Sequence, residues 1–278
     1  MKRKEFFILI MVLVIAFAGI TIAKNFGGGP VINTSKSETK PDSIQTFWNY
    51  YNLATQYRLQ GKTDSSIRAY QQAIQLKPDY EDALYYLGIM FMKANDFDNA
   101  HQSLEKLTAI NPGSERAYNQ LGNLYFCINN KKYFHPQKAR TYFQRSNELN
   151  KESLNPSLRL AEIALFQNRT SEALVLFSKL VIMDQKNVEI NFLTAYLFWR
   201  LQREKEAIGY LQRALVQTKT TAKTNGSINE NQDCDLFVFW VKADLASYNT
   251  YNIRVALPVA CKSFDAYLKR MRDELNHN

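Results

Sequence analysis

The stretch from Glu81 to Ser114 constrains the chain more than any other feature. Leu84, Leu87 and Phe91 fall at steps of three and four, one stripe of a helix, and Ala100, Leu104 and Leu107 form a second stripe. Between the stripes, Asn95 and Asp96 interrupt the pattern, and Asp96 is placed to cap the second helix. Asn111-Pro112 closes it, because proline disfavours helix in the residue before it. Gly88 and Ala100 are small where the two helices would cross. A bulky residue at such a crossing overpacks it at roughly 1–3 kcal/mol. The stretch therefore predicts a helix-turn-helix hairpin with two apolar faces, one more than it can bury by itself.

The pattern recurs with a period of 34 residues. Residues 47–80 carry Tyr50, Leu53, Ala54, Tyr57, Gly61, Tyr70, Ala73 and Pro78 at the same offsets, with Ser66 where alanine is usual. Residues 115–153 carry Tyr118, Leu121, Gly122 and Tyr125, then about five extra residues around Asn129–Pro136, before Ala139, Phe143 and Ser146 resume the register. Residues 154–187 keep Leu160, Ala161, Ala173, Phe177 and Leu180, and residues 188–221 keep Ala195, Phe198, Ala207, Leu211 and Ala214. These units resemble the tetratricopeptide repeat, a 34-residue helical hairpin. The resemblance implies an all-α, right-handed α-solenoid of about five hairpins, each burying the apolar flank of its neighbour.

Residues 222–278 read as a polar loop followed by a degenerate pair of capping helices, near 235–247 and 253–275, with Pro258 kinking or starting the last one. At the other end, residues 6–23 form an uncharged apolar run behind Lys2, Arg3 and Lys4. As a helix the run would span about 27 Å, close to the ~30 Å hydrocarbon core. Residues 1–24 are thus a signal anchor, or a signal peptide cleaved near Ala16-Phe17-Ala18, and residues 25–42 a tether containing Gly27-Gly28-Gly29-Pro30. The anchor reading places the repeats on the periplasmic side of the inner membrane, with the basic flank cytoplasmic; the cleaved reading makes them periplasmic or secreted. A reversed topology, with the repeats in a eukaryotic cytosol, also stays open.

No spacing suggests catalysis. The chain has no H-E-x-x-H, G-x-S-x-G or Walker loop. His101, His135 and His277 are scattered, with His101 expected to face solvent, and Cys127, Cys234 and Cys261 form no C-x-x-C pair. A Cys234–Cys261 bridge and three small buried thiols are both compatible with the sequence. The net charge of +9 is unevenly spread, +4 in residues 1–40 and +5 over the remaining 238, which reads as a mixed-charge surface without a clustered basic face, so no nucleic-acid partner is expected. No cofactor or metal is expected either.

The function implied by the resemblance is a non-enzymatic scaffold. In the family, the first helices of successive units line a concave groove that holds a peptide or a partner helix. The corresponding offsets nominate Trp48, Tyr51, Tyr85, Ile89, Met92, Arg116, Asn119, Asn123, Phe126, Glu162, Phe192, Tyr196 and Arg200. Aromatic residues and arginine dominate binding energetics, and this set is rich in both. The branch of the family that clamps a C-terminal carboxylate places lysine where this chain has Tyr51, which argues against that mode. The alternative is a module that stacks the same aromatics on cell-wall glycan.

Overall fold

The computed structural model describes residues 43–126, 130, 132–221 and 253–276. Among these there are eleven helices and no strands. They are α1 (Ser43–Leu59), α2 (Thr63–Leu76), α3 (Glu81–Lys93), α4 (Phe97–Ile110), α5 (Glu115–Phe126), α6 (Pro136–Leu149), α7 (Leu154–Phe166), α8 (Thr170–Met183), α9 (Val188–Arg200), α10 (Glu204–Thr221) and α11 (Ile253–Asn276). Helices α1 to α10 pair as five successive hairpins, and each hairpin packs on the next. The first helices also meet one another, α3 against α5 and α5 against α7, which puts them along the inner wall of the array. The apolar run at 6–23, the tether, Cys127, Cys234 and the expected helix at 235–247 lie outside the described residues. Among the described ones, no helix is long and apolar enough to cross a membrane.

The hairpins share one turn. Gly61, Asn95, Asn168 and Gln202 occupy the same place in units one, two, four and five, and all have positive φ, between 58° and 71°. The next residue then returns its amide to a carbonyl five residues back: Lys62 to Tyr57, Asp96 to Phe91, Arg169 to Ala164 and Arg203 to Phe198, at 2.8–2.9 Å. This left-handed cap supplies donors to carbonyls that the helix end leaves unpaired. Unit three carries the insertion at this turn, yet His135 donates to Tyr125 O at 2.8 Å and restores the closure. Two of the second helices carry start signals of their own. Asp96 accepts from the amide of Asn99, and Pro136 stands in the first turn of α6, where a missing amide costs nothing.

Small residues set the distance between the helices of a hairpin. Ala54, Gly88, Gly122, Ala161 and Ala195 are all buried at one offset, and Ser66, Ala100, Ala139, Ala173 and Ala207 at another. Ser66 replaces alanine without an orphaned hydroxyl, because its Oγ donates to Ala54 O at 2.9 Å. Leu53 holds the offset of buried Leu87 but is exposed, α1 being the first of the described helices. Pro258 lies inside α11 rather than at its start. Cys261 is a free, buried thiol, and burial raises its pKa well above the usual thiol range.

Candidate functional site

The inner wall divides into two halves of different character. In units one to three it is aromatic and partly open. Trp48 is exposed, and the Tyr51 ring sits edge-on to Trp48, Tyr70 and Tyr80 at centroid distances of 5.2–5.9 Å. Burial, then the Asp82 carboxylate and neighbouring phenols, push the Tyr51 hydroxyl up to about 12, so it is a neutral donor at physiological pH. Tyr85 and Tyr86 meet edge-to-face at 5.2 Å. The Arg116 guanidinium covers Tyr85 at 4.5 Å and pairs with Asp82, and Arg58 covers Tyr86 at 4.2 Å. Ile89 and Met92 are partly buried beside this wall.

Polar residues floor the third unit. Gln120 donates to the Tyr85 hydroxyl at 3.4 Å, and Asn123 donates to Gln120 at 3.2 Å. Asn119 is buried, and its Oδ1 has no hydrogen-bond partner among the described residues. Phe126 is wholly buried rather than on the surface: the insertion folds Phe134 back to stack on it at 5.9 Å and to meet Phe166 edge-on at 5.3 Å. The insertion itself is tied to the preceding unit, with Tyr133 donating to Asp98 and Lys132 at 3.1 Å from the same carboxylate. His101, expected to face solvent, is instead half-buried, 2.9 Å from Glu105 and edge-on to Tyr125.

In units four and five the wall is covered. Glu162 is fully buried and pairs with Arg159 at 2.6 Å. Phe192 and Tyr196, at groove offsets of α9, are buried under α11. Phe264 of α11 meets them edge-on at 5.4 Å and 4.8 Å. Asp265 accepts from the Tyr196 hydroxyl and from Arg200 Nη1 at 3.1 Å. Burial and this carboxylate raise the Tyr196 pKa beyond the ordinary phenol range. Arg272 reaches α7, with its Nε 2.7 Å from Phe166 O and its Nη2 3.0 Å from Leu165 O. The last helix therefore packs chiefly on α10 and also lies against the first helix of unit five, where a groove ligand would be expected, with Arg272 reaching the end of the first helix of unit four.

The nominated residues fall into two groups. Trp48, Tyr51, Tyr85, Ile89, Met92 and Arg116 share the accessible half, with Asn119 and Asn123 sunk in its floor. Phe126, Glu162, Phe192 and Tyr196 are interior, and Arg200 is exposed but engaged by Asp265. Tyr80, Tyr86, Phe134, Phe264 and Asp265 were not nominated. Tyr80 lies in the turn between units, and Phe264 falls equally well on a stacking stripe. Among the described residues no group of three or more His, Cys, Asp or Glu is arranged to hold a metal ion.

Hairpins stacked side by side, with an aromatic inner wall, define an α-helical repeat protein. Models described as tetratricopeptide repeats match residues 54–94, 82–114 and 158–222. The anaphase-promoting complex subunit CDC16 of Saccharomyces cerevisiae is 27% identical over 189 residues, 65% of this chain. That stretch is only 22% of CDC16, so this chain spans less than a quarter of that relative. Among solved structures, the MamA protein superposes with a TM-score of 0.55 at 23% identity, over 66% of this chain and 98% of that one. YrrB, described as a tetratricopeptide-repeat protein with an unusual peptide-binding site, superposes with a TM-score of 0.52 at 17% identity, over 66% and 98%. The tetratricopeptide-repeat character is thus supported both by sequence and by fold, and repeats of this type generally mediate protein–protein interaction.

Proposed function

We propose that this chain is a non-enzymatic scaffold that captures a peptide or partner protein along the inner wall of units one to three. The observation that carries this is the contrast along the wall. Tyr51, Tyr85, Ile89 and Met92 of units one and two stay partly accessible, whereas Phe192 and Tyr196, at the same offsets of unit five, are buried against Phe264 of α11. Stacked phenols with two guanidinium groups over them offer rigid, amphipathic contact area at small entropic cost, which is how interface hot spots are built. The buried Asn119 acceptor would be met by a donor from the partner's backbone. The apolar run at 6–23 supports tethering to the inner membrane with the repeats on its periplasmic side, in a role such as envelope assembly or secretion; cleavage of that run would leave a periplasmic or secreted scaffold.

The test is a photo-crosslinker at Ile89 or Met92 in the native cell, with the captured species identified by mass spectrometry. The expected product is one dominant polypeptide, lost in a Trp48→Ala, Tyr85→Ala double variant that keeps its helical circular dichroism. Unchanged capture by that variant would move the site elsewhere. Retention on cell-wall glycan without a crosslinked polypeptide would favour sugar stacking instead. A reporter fused at the C-terminus reads which side of the membrane the repeats occupy.

A further inference from the structure

We propose that the inner wall of units four and five is a receptor for an amphipathic helix, occupied in cis by α11, and that a partner helix with an aromatic anchor followed directly by a carboxylate takes its place. This surface is separate from the accessible wall of units one to three, so it stands or falls independently of the capture site proposed there.

The helix α11 has the features of a bound ligand. Its buried residues, Ala256, Leu257, Ala260, Cys261, Phe264, Leu268 and Met271, recur at three- and four-residue steps along one stripe. Its other face, with Val259, Lys262, Lys269 and Arg270, is exposed. This is the anchor spacing by which an amphipathic helix enters a groove. The central anchor is Phe264, held edge-on by Phe192 and Tyr196. The residue after it, Asp265, answers two donors of the wall, the Tyr196 hydroxyl and Arg200. One end is fixed by Arg272, which donates to Phe166 O and Leu165 O at the partly negative end of α7, the latter shared with the Asn168 amide.

These wall contacts depend on side-chain identity and spacing, and a helix from another chain with the same spacing makes them equally well. The helices α7, α8, α9 and α10 pack in sequence on one another without α11, which rests on the end of that stack against α10 and α9. What favours the cis helix is its attachment through residues 222–252, which raises its effective concentration beside the wall. A competing helix therefore binds with an apparent affinity lowered by the fraction of molecules in which the wall is vacant.

The experiment uses the full chain and a fluorescent synthetic peptide of residues 253–276 as the probe. A Phe264→Ala, Asp265→Asn variant weakens the cis helix and leaves the wall intact. It is expected to bind the probe about tenfold or more tighter than the unaltered protein does. Adding Arg200→Ala to the variant, or Phe264→Ala to the probe, is expected to remove most of that gain. Hydrogen exchange reports whether α7 to α10 stay folded. No gain in probe binding with those helices protected overturns the proposal. Loss of protection throughout α7 to α10 in the variant also overturns it, since α11 would then be part of the core rather than its ligand.

Discussion

Gly122 leaves no room for a methyl group. A Cβ built there would stand 2.6 Å from the Phe143 ring, which is itself fully buried and has nowhere to move. Gly122→Ala is therefore expected to cost about 1–3 kcal/mol, read as a lower denaturant midpoint at unchanged slope. Gly88→Ala meets Leu104 Cγ at 2.8 Å, in a side chain that is also fully buried, and is expected to be destabilising in the same way. The left-handed turn residues reverse the sign. Gln202 holds a φ of 60° with a side chain that gains nothing from it, so Gln202→Gly should raise stability by about 1 kcal/mol. Asn95→Gly should gain less, because asparagine tolerates that conformation. Gly88 and Gly122 were legible in the sequence because the repeat register aligned them, and Asn95 because it broke a stripe. Gln202 gave no such signal, since glutamine is not a turn former and only its offset marks it.

Among the elements, the insertion of unit three shows where sequence reasoning stops. Its length and its place between two helices could be counted, but its anchor could not, because Asp98 lies 34 residues from Lys132 in an earlier unit. The Tyr133 hydrogen bond, then Lys132, hold the Asp98 carboxyl below the usual carboxylate range. A carboxyl depressed in the folded state contributes above its unfolded pKa and loses that contribution as pH falls through the folded value. Hydrogen exchange at residues 132–135 should therefore quicken on acidification below the ordinary carboxylate range, and Asp98→Asn should give the same quickening at neutral pH. The midpoint of global unfolding should stay in place, since the Lys132–Asp98 pair is exposed. The last helix teaches the complementary lesson. Its existence near 253–275 was plain from its apolar period, but Ala260, Phe264 and Tyr267 suit a stacking face and a groove-filling face equally. Only the positions of Phe192, Tyr196 and Arg200 decide between the two.

At the scale of the whole array, each hairpin answers mainly to its neighbours, so a disturbance should fade with distance along the stack. Releasing α11 with Phe264→Ala should speed hydrogen exchange in α9 and at the C-terminal end of α7, and leave α1 to α4 unchanged. A uniform response over all ten helices would mean a cooperative globule instead. The repeat architecture was readable because one period fixes a stripe, a turn and a small-residue contact together, and these agree across five copies. The division of the inner wall into an open and a roofed half was not readable, since the roof comes from beyond the last clear copy. The restored amide-to-carbonyl link from His135 to Tyr125 has a practical consequence. Provided the returning residue still reaches that carbonyl, the connection between α5 and α6 is free to change in length without altering the pitch from one hairpin to the next. A foreign epitope grafted there would be carried on the rim of the spiral, and antibody recognition with an unshifted melting temperature would show that the scaffold had accepted it.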